Sequence, residues 1–393
     1  MNFDLSEEEQ AFSAEVERFL DEHATVDVAD VLRENMAQLV DTPPRRAFMK
    51  KLAAKGWLGM SWPKQYGGQE MSGIYDFILC EALARRGAPQ MGKGIGVVGK
   101  TLIRHGSDQL KAEFLPQILR AEIEFAIGYS EPNAGSDAAN MQLKAERVEG
   151  GWLLNGQKTW TTSAHFADWY WLGARTNPDA KKHDGISVFL LPMSTPGLEI
   201  QALPTIGEEL TNQVFFTDVF VDEKYLVGEE GRGFRYISEA LDLERFSMYQ
   251  LSSVEQRFGE LLDYVRNAKK DGTPLREDPR ARKRIAQLTT DLGAAKSLQH
   301  AFVAAALTSD KPPTCEASQY KLYATELNQR LADAMMDICS PGSTMRVRSP
   351  DAPLRGRPEL VYRFSVIDTI GAGSSEIQKN IIARRKLGLP KNF

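Results

Sequence analysis

Two groups of residues in this 393-residue chain have the types and spacing that chemistry requires. The first is Tyr129-Ser130-Glu131-Pro132-Asn133-Ala134-Gly135-Ser136-Asp137, followed by Asn155-Gly156-Gln157-Lys158-Thr159-Trp160-Thr161-Thr162-Ser163. Trp160 offers an aromatic wall, and Thr162 a hydroxyl, for a flat ligand with a polar edge. Read as part of a strand, Trp160 and Thr162 are two residues apart and share a face, so both point toward one ring. The second group is a set of charged side chains, with Glu244 beside Arg245 in Leu241-Asp242-Leu243-Glu244-Arg245 and Glu376 at the start of the last predicted helix; a carboxylate is the residue type a general base can use. Taken alone, a Trp in a β-core and a solvated helical Glu account for the same residues.

Other chemistries find little support. Gly94, Gly99, Lys100 and Thr101 match a nucleotide-loop string, and Gly94, Gly96 and Gly99 match GxGxxG. Both mechanisms need a strand leading into the glycines, whereas 85–93 is charged, contains proline and follows a helix, so a glycine-rich helix entry is expected. The histidines at 23, 105, 165, 183 and 300 lack metal-ligand spacing, and no Ser sits in a GxSxG turn. Cys80, Cys315 and Cys339 are far apart and read as reduced thiols. A formal net charge of -5 gives no bulk attraction to nucleic acid or anionic lipid. The first ten residues carry four acids and no base, unlike a targeting leader, and no apolar run is long enough to span a bilayer. A cytoplasmic location is expected.

The elements that must position these groups follow an α, β, α plan. Ser6 and Glu9 form a capping box ahead of Phe12, Val16, Phe19 and Leu20 at helical spacing, and further helices are expected over 44–55, 74–86 and 108–120. Short runs rich in aromatic and β-branched residues at 145–148, 152–154, 169–174, 186–191 and 214–221 predict strands, with Gly150-Gly151 and Asn155-Gly156 as turns. Helical periodicity returns over 234–268, 280–307 and 317–338, and a last helix is expected over 375–386. The basic, proline-rich stretch 341–358 reads as a solvated loop. Three domains are expected: 1–124 helical, 125–233 β, and 234–393 helical.

At the Tyr129–Asp137 and Asn155–Ser163 motifs the sequence resembles the acyl-CoA dehydrogenase family. Gly56 to Gly68 (GWLGMSWPKQYGG), Val214 to Val221 (VFFTDVFV), Gly228-Glu229-Glu230-Gly231, LDLER and Ser375 to Arg384 (SSEIQKNIIAR) extend the resemblance in the family's order over nearly the whole chain. It implies an α+β multidomain fold with an N-terminal helical domain, a central β-barrel-like domain and a C-terminal four-helix bundle. It also implies an FAD-dependent oxidoreductase that takes two hydrogens from an acyl-CoA thioester and passes electrons to an electron-transferring flavoprotein. Carried over residue by residue, the resemblance places Ser130, Ser136, Trp160, Thr162 and Ser374 at FAD. Ser136, Asp242 and Arg245 would bind substrate, with Asp242 at the pantetheine arm and Arg245 near the thioester.

Many members hold the basic Glu in a loop before the final helix, but here that loop reads Gly371-Ala372-Gly373-Ser374, and Ala372 cannot accept a proton. A second arrangement, as in isovaleryl- and long-chain-type enzymes, puts the Glu on a helix immediately before an Arg, which Glu244 satisfies. The family's RxxFG segment reads Ala268-Lys269-Lys270-Asp271-Gly272, and its QxxGGxG turn is reduced to Asp337-Ile338-Cys339-Ser340-Pro341-Gly342. These departures leave two other readings: an acyl-CoA oxidase or flavin monooxygenase on the same scaffold, or a partner subunit in a mixed tetramer. The small wall at 371–373 suggests a branched, cyclic or otherwise bulky acyl chain.

Overall fold

The computed structural model describes residues 4–32, 40–248, 250–308 and 313–390, and over 242–248 the main chain alone. The N-terminal part is helical: α1 (Glu7–His23), α2 (Pro43–Ala54), α3 (Gly73–Arg86), α4 (Lys100–His105) and α5 (Asp108–Leu119). The capping box is formed, with the Ser6 hydroxyl accepting from the Glu9 N–H at 3.3 Å and the Glu9 carboxylate accepting from the Ser6 N–H at 2.7 Å. Val16, Phe19 and Leu20 are the buried face of α1 and join a core with Phe48, Leu52 and Trp57. The Gly94–Gly99 stretch is a π-helix running into α4, not a phosphate loop. A Cβ at Gly99 would come within 2.2 Å of the Trp62 ring, so close packing explains that glycine.

The middle of the chain builds an eight-stranded sheet from β1 (Phe125–Gly128), β2 (Lys144–Val148), β3 (Gly151–Lys158), β4 (Trp169–Arg175), β5 (Ile186–Pro192), β6 (Leu198–Pro204), β7 (Leu210–Asp222) and β8 (Leu226–Val227). Its order is β6-β7-β3-β2-β4-β5-β8, with β1 running parallel to β4 in the register Phe125↔Trp169. Alternation separates two cores. Tyr170, Leu172 and Ala174 pack with Trp152, Leu154, Val214 and Phe216, while Trp171 between them joins the helical core with Ile237.

The C-terminal part comprises α6 (Gly233–Met248), α7 (Leu251–Asn267), α8 (Pro279–Thr308), α9 (Thr314–Ile338), α10 (Arg357–Asp368) and α11 (Ser375–Ile381), the last continuing as a π-turn to Lys386. Val254, Leu261, Leu288, Leu327, Leu331 and Met335 form the bundle core, and α9 packs on α8, α10 and α11. Two expectations change. The helix read over 234–268 is two helices, because Glu81 of α3 accepts from the Leu251 and Ser252 N–H groups at 3.3 and 2.9 Å and so starts a new helix there. The stretch 341–358 is not simply solvated: it contains 3-10 turns at Gly342–Thr344 and Pro353–Gly356 and buries Ser343 and Arg357, whose guanidinium reaches Glu260 at 2.7 Å.

Candidate active site

The two motifs meet where β1 and β3 end. Ser130 follows β1, and its carbonyl accepts from the Thr159 N–H at 3.0 Å, one residue beyond the end of β3. Beneath this junction the Lys158 ammonium, with no solvent exposure, donates to the Glu131 carboxylate at 2.8 Å. Glu131 also accepts from the N–H groups of Gln142 and Leu143. Burial is the main influence on Lys158 and pushes its pKa down to about 8 against the opposing pull of Glu131. Both residues stand within the motifs, yet their types and spacing alone gave them no role; a single charge ending an otherwise uncharged strand was the available signal.

Beyond Lys158 the chain leaves the strand, which corrects the reading of Trp160 and Thr162 as strand neighbours on one face. Trp160 has φ 57° and Ser163 φ 75°, so the backbone turns through left-handed conformations that side chains other than glycine seldom adopt. The loop is held from the β-domain: Asn212 of β7 accepts from the Thr161 N–H and donates through its side-chain amide to the Thr161 carbonyl, both at 2.9 Å. The Thr161 hydroxyl shares a buried hydrogen bond of 2.8 Å with Tyr170. It is held from the helical domain as well, since the Lys93 ammonium donates to the Thr162 carbonyl at 2.9 Å. Arg46 of α2 donates to the Phe166 carbonyl at 2.6 Å and pairs with Asp168 at 3.1 Å. So fixed, the loop leaves the Trp160 side chain outside the core at 58% exposure.

The other predicted residues are placed as follows. Ser136 is exposed beside Gly135, around whose missing Cβ lies open space. Ser374 caps α11, accepting from the Ile377 N–H at 3.4 Å, and among the described residues no hydrogen bond joins it to the Trp160 loop. Ala372 and Gly373 take φ 50° and 92°, and their loop is fastened by Lys321 and Gln378, which donate to the Gly373 carbonyl at 2.9 and 3.0 Å. Glu376 is exposed, and the N–H at the start of α11, with the Ser374 hydroxyl next, holds its carboxyl below the usual range. A carboxylate so stabilised is a poor base. Asp242, Glu244 and Arg245 belong to α6, and their side chains lie outside the described residues. Glu244 falls four residues after Ala240 and seven after Ile237, both buried, at register positions of the same helical face.

An exposed indole on a pinned loop, with a threonine two residues on and Ser130 tied in through Thr159, fits one flat ring system with a polar edge. Three family models match in succession: the acyl-CoA dehydrogenase N-terminal domain over residues 6–122, the middle domain over 126–219 and the C-terminal domain over 231–387. The chain belongs to the acyl-CoA dehydrogenase family. It is 35% identical to the acyl-CoA dehydrogenase IpdE1 of Mycolicibacterium smegmatis, over 98% of each chain. Among solved structures it is similar to a Tcur3481-Tcur3483 steroid ACAD, with a TM-score of 0.89 at 30% identity and full coverage of both chains. The ChsE4-ChsE5 complex from Mycobacterium tuberculosis gives 0.89 at 31%, again with full coverage. The α, β, α architecture is thus the acyl-CoA dehydrogenase fold, and the protein is an FAD-dependent oxidoreductase of that family. Among the described residues, no helix is long and apolar enough to cross a membrane.

Proposed function

We propose that this acyl-CoA dehydrogenase removes hydrogen from the α and β carbons of an acyl-CoA to give the 2-enoyl-CoA, with an electron-transferring flavoprotein as the acceptor. The observation that supports it most is the exposed Trp160 on a loop anchored to Ser130, Asn212 and Lys93. In this reading Trp160, Thr162 and Ser130 hold the flavin ring, and Ser136 and Ser374 contact the rest of FAD. Bound FAD supplies hydride acceptance from the β carbon. Glu244 takes the α proton, Asp242 holds the pantetheine arm, Arg245 steadies the thioester end, and Ser136 also contacts substrate. α6 packs against the sheet and the π-helix.

The acyl group we propose is bulky, branched or cyclic. Ala372 between two glycines leaves only small side chains at 371–373, and the likeness to a protein described as a steroid ACAD points the same way. A second reading, a subunit of a mixed assembly, is favoured by that missing loop carboxylate and by a likeness to the ChsE4-ChsE5 complex. The test is rapid mixing under anaerobic conditions with a panel of straight, branched and ring-bearing acyl-CoA thioesters, following flavin bleaching. Ring-bearing or branched thioesters should bleach fastest, and Glu244→Gln should slow bleaching at least about 100-fold while Glu376→Gln changes it little. Collapse in the Glu376 variant alone would move the base to α11. Absence of bleaching by every thioester, with flavin bound, would favour the subunit reading.

A further inference from the structure

We propose that Glu81 is a positioning residue for the base: by tethering the corner where α6 gives way to α7, it fixes the end of the helix that carries Glu244. The proposal rests on the reading of Glu244 as the base. Glu81 lies on α3, in the N-terminal helical part, and its half-buried carboxylate gathers three donors from the C-terminal part. These are the Leu251 N–H at 3.3 Å, the Ser252 N–H at 2.9 Å and the side-chain amide of Gln299, on α8, at 2.7 Å. The buried Ser252 hydroxyl returns a bond of 2.8 Å to the Glu81 carbonyl. One residue of α3 thus grips the first turn of α7 with both its side chain and its main chain, and its negative charge meets the positive end of that helix.

Chain connectivity turns this grip into a constraint on α6. That helix ends at Met248 and α7 begins at Leu251, so two residues join them, and two residues span no more than about 7 Å. Glu244 falls four positions before Met248, about one helical turn. Earlier along α6, Glu239 pairs with His105 of α4 at 2.7 Å. Glu244 therefore stands between two anchors that both come from the N-terminal part. A side chain at the position before α7 would satisfy its N–H groups equally well, but Gln250 gives no such bond and the acceptor is taken from α3. That arrangement ties the corner to a place, beyond starting a helix. A shift of about 1 Å at a reacting group costs up to about 100-fold in rate, so loss of the tether is read in the chemical step.

A tether and a cap are separable. Glu81→Ala removes both, and adding Gln250→Ser to it returns a local acceptor for the Ser252 N–H with no link to α3. Gln250→Ser alone is the reference. Thermal midpoint, flavin-to-protein absorbance ratio and anaerobic flavin bleaching are measured, the last over a range of concentrations of the branched or ring-bearing thioester that bleaches the unaltered protein fastest. The double variant should keep its flavin and regain most of the thermal midpoint lost in Glu81→Ala. Its limiting bleaching rate should stay about tenfold below the reference, with the half-saturating thioester concentration changed by less than about twofold. If Glu81→Ala does not fold, the double variant carries the comparison. A limiting rate equal to the reference overturns the proposal, because Glu81 then only caps α7. Loss of flavin from the double variant, or a change confined to the half-saturating concentration, overturns it as well. Glu244→Gln is measured beside them, and unaltered bleaching there removes the base reading itself, whatever the Glu81 variants do.

Discussion

Lys158 and Glu131 bury opposite charges directly under the site, and each depends on the other. Replacing Glu131 by Gln leaves an ammonium in the core without a counter-charge, which costs about 3–5 kcal/mol for a buried pair broken on one side. Chemical denaturation should show that loss, and a Glu131→Gln, Lys158→Met double variant should recover part of it. The pair also sets a pH dependence. An unfolded chain holds the Lys158 proton up to its ordinary value of 10.5, whereas the folded chain releases it near 8, so the unfolded state binds more protons between those values. Stability from this group therefore increases as pH rises from about 8, and below that both states are protonated and the group contributes no slope. Relative to Lys158→Met, the unaltered protein should gain up to about 1.4 kcal/mol per pH unit in that window. A difference between the two proteins that is flat from about pH 7 to 10 would show that Lys158 does not titrate there.

At the scale of elements, the loop after β3 decides whether the flavin reading holds. Trp160→Ala with Thr162→Ala removes the aromatic wall and a polar contact together, and the absorbance ratio of flavin to protein should fall after gel filtration. An unchanged ratio and spectrum would place the ring elsewhere. Extending the strand through these residues failed in the sequence because the turn depends on partners far along the chain: Asn212 and Lys93 hold main-chain atoms, and such bonds leave no periodic trace. The start of α7 was hidden for the same reason. Gln250 gives no side-chain cap, and the capping carboxylate is Glu81, from α3. Where the determinant is local the sequence was legible, as with Ser6 and Glu9 at α1 or the aromatic run of β4. The resemblance singled out the two motifs, but the interlocking of Lys158 with Glu131 required the fold.

At the scale of the whole molecule, α10 and the turn after it show Tyr362, Val366 and Ile370 to solvent at intervals of four, with Ile206 of the β6–β7 connection nearby and also exposed. Single exposed apolar residues are ordinary, whereas these four lie on adjoining segments. Val366→Glu should lower the mass seen by light scattering if another chain covers this face, and an unchanged mass would exclude it. The sheet carries a different consequence, one of timing. Because β1 pairs with β4 and not with the hairpin that directly follows it, the Tyr129–Asp137 turn has no fixed place until the chain through β4 has been made. The proposed base arrives later still, on a helix that begins at Gly233. A ribosome has thus released well over half of the polypeptide before the cofactor has anywhere complete to land, and flavin capture belongs to the end of biosynthesis.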